Sequence, residues 1–484
     1  MPNENVRVRF APSPTGYLHI GGLRTALFNW LFAKKHKGTF ILRIEDTDQS
    51  RLVEGSVENI LEAFKWYGMD YDEGIDKGGD YGPYIQSKRL SVYTKHAQDL
   101  IKNDKAYYCF CTSERLSKLR KEQSAQKIPP QYDGFCRDLS KEEALNKVKK
   151  GVPHVVRMKL PKDGNISVED LVRGKVDFSF RNLDDAIILK TDGFPTYQLA
   201  NVIDDHMMKI SQVIRAEEWL PSTPKHVWLY LAFGWDVPKF AHLPLIMSPK
   251  GGKLSKRDGA VSAMQYKEMG YLPEAILNFI VLLGWNPKTD QEIFSLTELI
   301  NAFDLKKVNK AGAVFNLDKL NFINSHYIKN ISLEELTKRC VPFYKKEGID
   351  TKNIQYLEKV TALVKDRMTT LDEVGELTRF VFKLAEYDSS VLIPKKSTRD
   401  KTKDYLEQSH GLLNGVGEND FNSNKLKELF ISYIKDNDIK TNDMLWPLRV
   451  ALSGQKNSPD VFDIAEVLGK AETITRTNHA INKL

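Results

Sequence analysis

The chain has 484 residues, about three domains' worth for an ordinary protein, and its 41% hydrophobic and 28% charged residues are the balance of a soluble globular chain. Its formal net charge of +7 is compatible with a polyanionic partner without demanding one. Residues 331–484 are close to neutral, so the excess lies in the first two thirds. The strongest apolar run, AILNFIVLLGW at 275–285, is too short to span a membrane, and MPNENVRVRF carries no signal-peptide pattern. The expectation is a cytosolic protein with no membrane partner.

In VRVRF, Val6, Val8 and Phe10 alternate with Arg7 and Arg9, which predicts a strand. Leu23, Leu27, Trp30 and Leu31 then recur at helical spacing, with Gly38 as the predicted stop. TFILRIED resumes a period of two through Phe40, Leu42 and Ile44. The reading is one βαβ unit. Pro12 and Pro14 end its first strand, and Gly21 and Gly22 allow close backbone approach at a helix N-terminus, where free N–H groups favour phosphate.

SVENILEAFKWYGMDYD predicts a further helix through Val57, Ile60, Leu61 and Phe64. KRLSVYTKHAQDLIKNDKAYYCF predicts another, followed by a strand. From 108 to about 195 the texture changes to three cysteines, the loop KIPPQYDG and short strand-like runs (HVVRMKL, KVDFSF, AIILK), an α+β insertion in an α/β chain. The α/β pattern resumes with helix-like TYQLANVIDDHMM, strand-like KISQVIRA and helix-like STPKHVWLYLAFGW. The last third reads as all-α, with candidate joints at KKSTRDKTKD (395–404) and GLLNGVGEND (411–420).

The second informative stretch is SPKGGKLSKRDGA, 248–260. Two glycines precede Lys253, Lys256 and Arg257, the pattern of a basic loop able to bring cations to a phosphate chain. Together with PSPTGYLHIGG it resembles the two signatures of class I aminoacyl-tRNA synthetases, "HIGH" and "KMSKS". More narrowly, RFAPSPTGYLHIGGLRTALFNWL, RIEDTD, YDGFCR, PTYQLANVIDDH, VIRAEEWL and KLSKRDGA stand in the order found in bacterial-type glutamyl-tRNA synthetases. The similarity runs from about residue 6 to 330 and returns weakly at WPLRVALSG (446–454).

That resemblance implies a Rossmann-type catalytic domain in two halves (1–107 and 196–245), divided by an acceptor-binding insertion (108–195). A stem-contact region with the KLSKR loop (246–330) and a helical anticodon-binding module (331–484) follow. It implies that Pro12, Thr15, Gly16, His19, Gly21, Gly22, Glu218, Trp219, Lys253 and Lys256 surround ATP, with His19, Lys253 and Lys256 on the phosphates together with Mg²⁺. It also implies a glutamate pocket of Arg9, Ala11, Ser13, Glu45, Tyr197, Asn201 and Arg215. Two guanidiniums and one carboxylate complement the two carboxylates and one ammonium of glutamate. On the residues alone, Arg9–Glu45 is equally an ordinary ion pair.

Cys109, Cys111 and Cys136 are soft ligands in a cytosolic insertion and point to structural Zn²⁺. Where many relatives carry a histidine as fourth ligand, this chain has Asp138. Tyr132 or water is the alternative, as is a metal-free reduced knuckle.

The implied activity is a monomeric, ATP-dependent ligase that joins L-glutamate to tRNA(Glu) through a glutamyl-adenylate and the 2′-hydroxyl of the terminal adenosine. The alternative within the family is an enzyme that also charges tRNA(Gln) with glutamate.

Overall fold

The computed structural model describes residues 5–254 and 261–484. VRVRF folds as β1 (Arg7–Phe10), buried along its whole length. Helix α1 (Ile20–Lys35) leads to β2 (Thr39–Leu42), which lies parallel to β1 with Val8 opposite Phe40 and Phe10 opposite Leu42. Helix α2 (Ser56–Tyr67) precedes the short β3 (Glu73–Gly74), parallel to β2, so the sheet order is β1-β2-β3. The βαβ unit is present, with two local differences. The second strand ends at Leu42, and beyond it Ile44 keeps a single bridge to Ile85. Gly38 does not stop the helix. The positive φ falls on Lys37 (+52°), and the chain is glycine at 38 because a Cβ there would press on the carbonyl oxygen of Val6.

Helix α3 (Leu90–Lys102) enters the region of altered texture. There β4 (Ala106–Cys109), α4 (Ser113–Ala125), α5 (Lys141–Lys149), β5 (Val155–Met158), β6 (Asn165–Asp170), β7 (Gly174–Ser179) and β8 (Ile187–Leu189) follow in order. β4, β5 and β8 form an antiparallel sheet. The three expected strand-like runs are β5, β7 and β8. Strand β6 and helices α4 and α5 are additional.

The chain continues through α6 (Tyr197–Met207), β9 (Gln212–Ala216), α7 (Thr223–Phe233) and β10 (Lys239–Leu243). A second sheet has the order β7-β6-β10-β9, with β10 parallel to both β6 and β9 and the β6–β7 pair antiparallel. The backbone N–H of Arg7 donates to Ser211 Oγ (2.8 Å) and Ser211 N–H returns a bond to the Arg7 carbonyl (2.9 Å), which sets β9 beside β1. The shared core takes Ile41, Tyr93, Val156, Val168, Leu199, Ile203, Val213, Leu229 and Phe240. Last come β11 (Ile246–Met247) and its parallel partner β12 (Ala313–Val314).

Two compact units divide the chain, one of residues 1–266 and 276–317, the other of 267–275 and 318–484. The second is helical, with a cluster around Leu392, Leu406, Val450, Ala451 and Ala480. The helix Arg399–Gly415 runs through Gly411, so the glycine-rich joint read at 411–420 is narrower than its sequence suggests. Gly411 breaks nothing because the turns on either side carry the helix through it. Arg449, in WPLRVALSG, donates to the carbonyls of Ser458 (2.8 Å) and Pro459 (2.7 Å) and so braces this unit internally. No described helix is long and apolar enough to cross a membrane.

Candidate active site

His19 is the N-cap of α1. Its Nδ1 accepts from the backbone N–H of Gly21 (3.1 Å) and Gly22 (3.3 Å), two donors left open by helix geometry. An accepting Nδ1 puts the ring proton of the neutral imidazole on Nε2. The glycines have concrete reasons. A Cβ on Gly21 would crowd the His19 ring, and one on Gly22 would meet Leu18 Cδ1 at 2.9 Å. Ala263 N–H donates to Leu18 O (2.7 Å), and Ser262 bridges to His19.

The KLSKR loop starts on β11. Lys253 bridges to Met247, and Leu254 N–H donates to Ile246 O (2.9 Å). Gly251 and Gly252 take positive φ (+91° and +76°) in the turn before it, a conformation that costs other residues far more. Lys253 Nζ lies 2.6 Å from Glu218 Oε2 in an exposed pair. Lys256 lies outside the described residues. Trp219 stacks at a tilt on Tyr197, with centroids 4.3 Å apart.

The predicted amino-acid pocket is a buried charge network. Arg9, at the carboxyl end of β1, donates through Nε to Asp205 Oδ1 (2.9 Å). Arg43 donates to the same oxygen (2.8 Å) and to Glu45 Oε1 (2.9 Å). Arg9 and Glu45 are thus each paired elsewhere, and the simple Arg9–Glu45 pair does not form. Beside them, Asp204 accepts from Arg89, Gln86 and Tyr93 at 2.8, 2.9 and 2.8 Å. Burial works against the charge on Arg9, and Asp205 outweighs it, holding the guanidinium above its ordinary pKa. Burial likewise pushes Glu45 up, only partly opposed by Arg43 and Arg9. Asp205 resists burial and lies below the usual carboxylate value because Arg9 and Arg43 face it.

Arg215, at the end of β9, donates to the Tyr197 hydroxyl (3.0 Å). Asn201 is buried with no partner for its Nδ2, a donor that a ligand oxygen can satisfy. Pro12 accepts from Glu45 N–H (3.0 Å), and Thr15 N–H donates to Ser13 O (2.8 Å), so the loop from Ala11 to Gly16 is folded against the end of β2. Sequence reasoning missed Arg43, Asp204, Asp205, His226 and His242. Arg43 is the first residue past β2 and the aspartates lie in VIDDH, and no spacing rule connects them across the chain.

The three cysteines converge in the insertion, with sulfurs within 4.8 Å of one another and Cys111 and Cys136 at 3.6 Å. Tetrahedral zinc with bonds of about 2.3 Å spaces sulfurs at about 3.8 Å, so the donor set fits the metal. The Tyr132 hydroxyl lies 3.4 Å from Cys109 Sγ and 3.5 Å from Cys111 Sγ. Asp138, the predicted fourth ligand, is exposed and outside this group. Asp138 follows directly on the turn in which Arg137 N–H donates to Gly134 O (2.7 Å). Burial pushes the Cys109 thiol up, but Tyr132, the Cys111 amide and Arg157 together bring it below its ordinary pKa, whereas burial holds Cys111 at about 11.

The catalytic-domain family of class I tRNA synthetases for E and Q matches residues 5–322, and an anticodon-binding-domain family matches 335–481. A glutamate--tRNA ligase of Dehalococcoides mccartyi is 47% identical over 489 aligned positions, covering 100% of this chain and 99% of the relative. One from Clostridium tetani is 46% identical, with 100% and 99% covered. The crystal structure of a glutamate tRNA ligase from Elizabethkingia meningosepticum, in complex with its amino acid, superposes with a TM-score of 0.91 at 40% identity, covering 99% of each chain. With the helix-capping histidine, the loop at Lys253 and the buried arginines in place, the chain belongs to the class I tRNA synthetases of the glutamate and glutamine branch, and within it to the glutamate--tRNA ligases.

Proposed function

We propose that the chain joins L-glutamate to tRNA(Glu) in two steps, as a cytoplasmic monomer, with the division of labour among the five segments given above. The observation that carries the choice of glutamate is the charge balance of the pocket. Arg9 and Arg43 face Asp205 and Glu45, two against two, while among the described residues Arg215 has no carboxylate partner. Glutamate brings two carboxylates and one ammonium, a net single negative charge. Glutamine is net neutral: its α-carboxylate still meets Arg215, but the pocket as a whole keeps one positive charge that nothing offsets, which is costly where water is excluded. Arg9 takes the side-chain carboxylate, and Arg215 with Tyr197 and Asn201 takes the α-carboxylate. Glu45 and Ser13 take the ammonium.

In the first step an α-carboxylate oxygen attacks the α-phosphorus of ATP. The bond to the β-phosphate oxygen breaks, and pyrophosphate leaves. His19, through Nε2–H, together with Lys253 and Lys256, stabilises charge developing on the phosphates. ATP enters as its Mg²⁺ complex, between the loop Pro12–Gly22 and Glu218–Trp219. In the second step the 2′-hydroxyl of the terminal adenosine attacks the activated carbonyl, and AMP leaves. No nucleophilic side chain is needed; positioning and electrostatics supply the rate.

Cys109, Cys111 and Cys136 hold zinc in our reading, with Tyr132 as the fourth group in preference to Asp138. The metal's contribution is structural: it ties α4 and the YDGFC turn to β4. The test of the function is charging of purified tRNA(Glu) and tRNA(Gln) with labelled glutamate. Charging of tRNA(Glu) alone supports the reading, charging of both establishes the non-discriminating alternative, and charging of neither rejects both.

A further inference from the structure

Arg215 is 4% exposed and is caged by neutral acceptors. Its Nε donates to His242 Nε2 (3.1 Å). One terminal nitrogen donates to the Tyr197 hydroxyl (3.0 Å) and lies 3.2 Å from His226 Nδ1, and the other donates to Thr223 Oγ1 (2.9 Å). The guanidinium has donors only, so each of these atoms must present a lone pair. His242 can do so only as the tautomer with its proton on Nδ1. That nitrogen lies 2.6 Å from Asp170 Oδ2, and His242 and Asp170 are both buried. The carboxylate is itself fixed. Its Oδ1 accepts from the backbone N–H of Val172 (2.9 Å) and Arg173 (2.8 Å) in the turn between β6 and β7. A chain of orientation therefore runs from that turn, through Asp170 and His242, to Arg215.

We propose that Asp170 and His242 are positioning residues for the amino-acid site. Asp170 selects the Nδ1–H tautomer of His242, and that tautomer holds the Arg215 guanidinium at the angle at which it receives a carboxylate, without neutralising it. The inference rests on Arg215 binding the α-carboxylate of glutamate. It explains why a buried arginine sits among two imidazoles and two hydroxyls rather than against an acid. A carboxylate in direct contact would compete with the substrate. One placed behind an imidazole orients the cation and leaves its outer edge for the ligand. Burial keeps both imidazoles below their ordinary pKa, consistent with neutral acceptors.

The test is Asp170→Asn in the full-length enzyme. The amide oxygen stays on the N–H groups of Val172 and Arg173, so the NH₂ group takes the place of Oδ2. It can only donate to His242 Nδ1, which moves the ring proton to Nε2, where it opposes the Nε–H of Arg215. ATP–pyrophosphate exchange with tRNA present should show KM for glutamate raised about ten- to hundredfold, the worth of a hydrogen bond to a charged group, with KM for ATP unchanged. Nitrogen-15 spectra of histidine-labelled protein should show the His242 proton moving from Nδ1 to Nε2, the resonance being assigned with His242→Gln. His242→Gln, which keeps an acceptor oxygen, should retain more glutamate affinity than His242→Leu. These two variants decide the matter if Asp170→Asn does not fold. Arg215→Lys separates the two readings. If it leaves KM for glutamate unchanged, the pocket assignment falls. If it raises KM while Asp170→Asn moves neither KM nor the ring proton, or raises KM for ATP equally, the positioning role is overturned. Equal losses in His242→Gln and His242→Leu overturn it as well.

Discussion

Asp205→Asn tests whether the buried charges or only the buried hydrogen bonds hold the catalytic unit together. The Asp205 carboxylate is fully buried, and its Oδ1 accepts from Arg9 Nε and Arg43 Nη1 at 2.9 and 2.8 Å, while Oδ2 has no partner. Asparagine keeps the volume and one acceptor oxygen and removes one negative charge from between two guanidiniums. Removing one partner of a buried ion pair costs about 3–5 kcal/mol. For a unit this large each kcal/mol lowers Tm by about 2 °C, so calorimetry of the full chain should show its transition about 6–10 °C lower. The matched control is Asp163→Asn. Asp163 pairs with Arg181 at 2.7 Å, but both side chains are largely exposed, at 69% and 76%, and such pairs contribute little. Arg9 and Arg43 hold the native pKa of Asp205 below 3.8 against burial. Its contribution is therefore present above that value and lost as pH falls through the native one, so the gap between wild type and variant should close below about pH 4. Equal shifts for the two substitutions at pH 7 would refute the argument.

The native pKa values of His226 and His242 are depressed, first of all by burial. The unfolded chain takes up protons near pH 6.5 that the fold refuses. Urea unfolding should therefore show stability falling as pH drops from about 7 to about 5, by up to about 1.4 kcal/mol per pH unit for each histidine, and a flat profile would contradict neutral burial. Gly38→Ala should destabilise by about 1–3 kcal/mol by crowding the Val6 carbonyl. Gly411→Ala, inside a helix with nothing within 4 Å of the new Cβ, should stabilise by about 0.5–1 kcal/mol, and both values come from denaturant titration. Tyr132→Phe should weaken zinc retention against a chelator by at least about tenfold, whereas Asp138→Ala should leave it unchanged, as read by metal analysis.

Local order was legible wherever one element decides its own shape. The βαβ unit follows from alternation in VRVRF and from helical spacing after His19, and α6, β9 and α7 follow for the same reason. Strand β6 was missed although Ile166, Val168 and Asp170 do alternate with exposed residues. Its inward third member is an aspartate, which an apolar pattern does not score. That residue is inward because His242 and two backbone amides meet it there, and these are partners that only the closed fold supplies.

The same limit governs the site. Arg7 and Arg9 occupy the polar phase of β1, and read alone they are its solvent side, yet both are buried, at 8% and 3% exposure. What changes their meaning is Asp205 on α6, 196 residues from Arg9 in sequence, and Glu73 at β3, 2.8 Å from Arg7. A charged residue in a strand is buried at tolerable cost only where other elements bring it hydrogen-bond partners or an opposite charge. Arg215, near the end of β9, is buried among two imidazoles and two hydroxyls with no carboxylate partner among the described residues, and on that ground we propose that a carboxylate of the ligand meets it. The sequence lists the cations of a site. Only the fold separates those that meet a carboxylate of the protein, like Arg9 at Asp205, from those, like Arg215, that are held by uncharged acceptors alone.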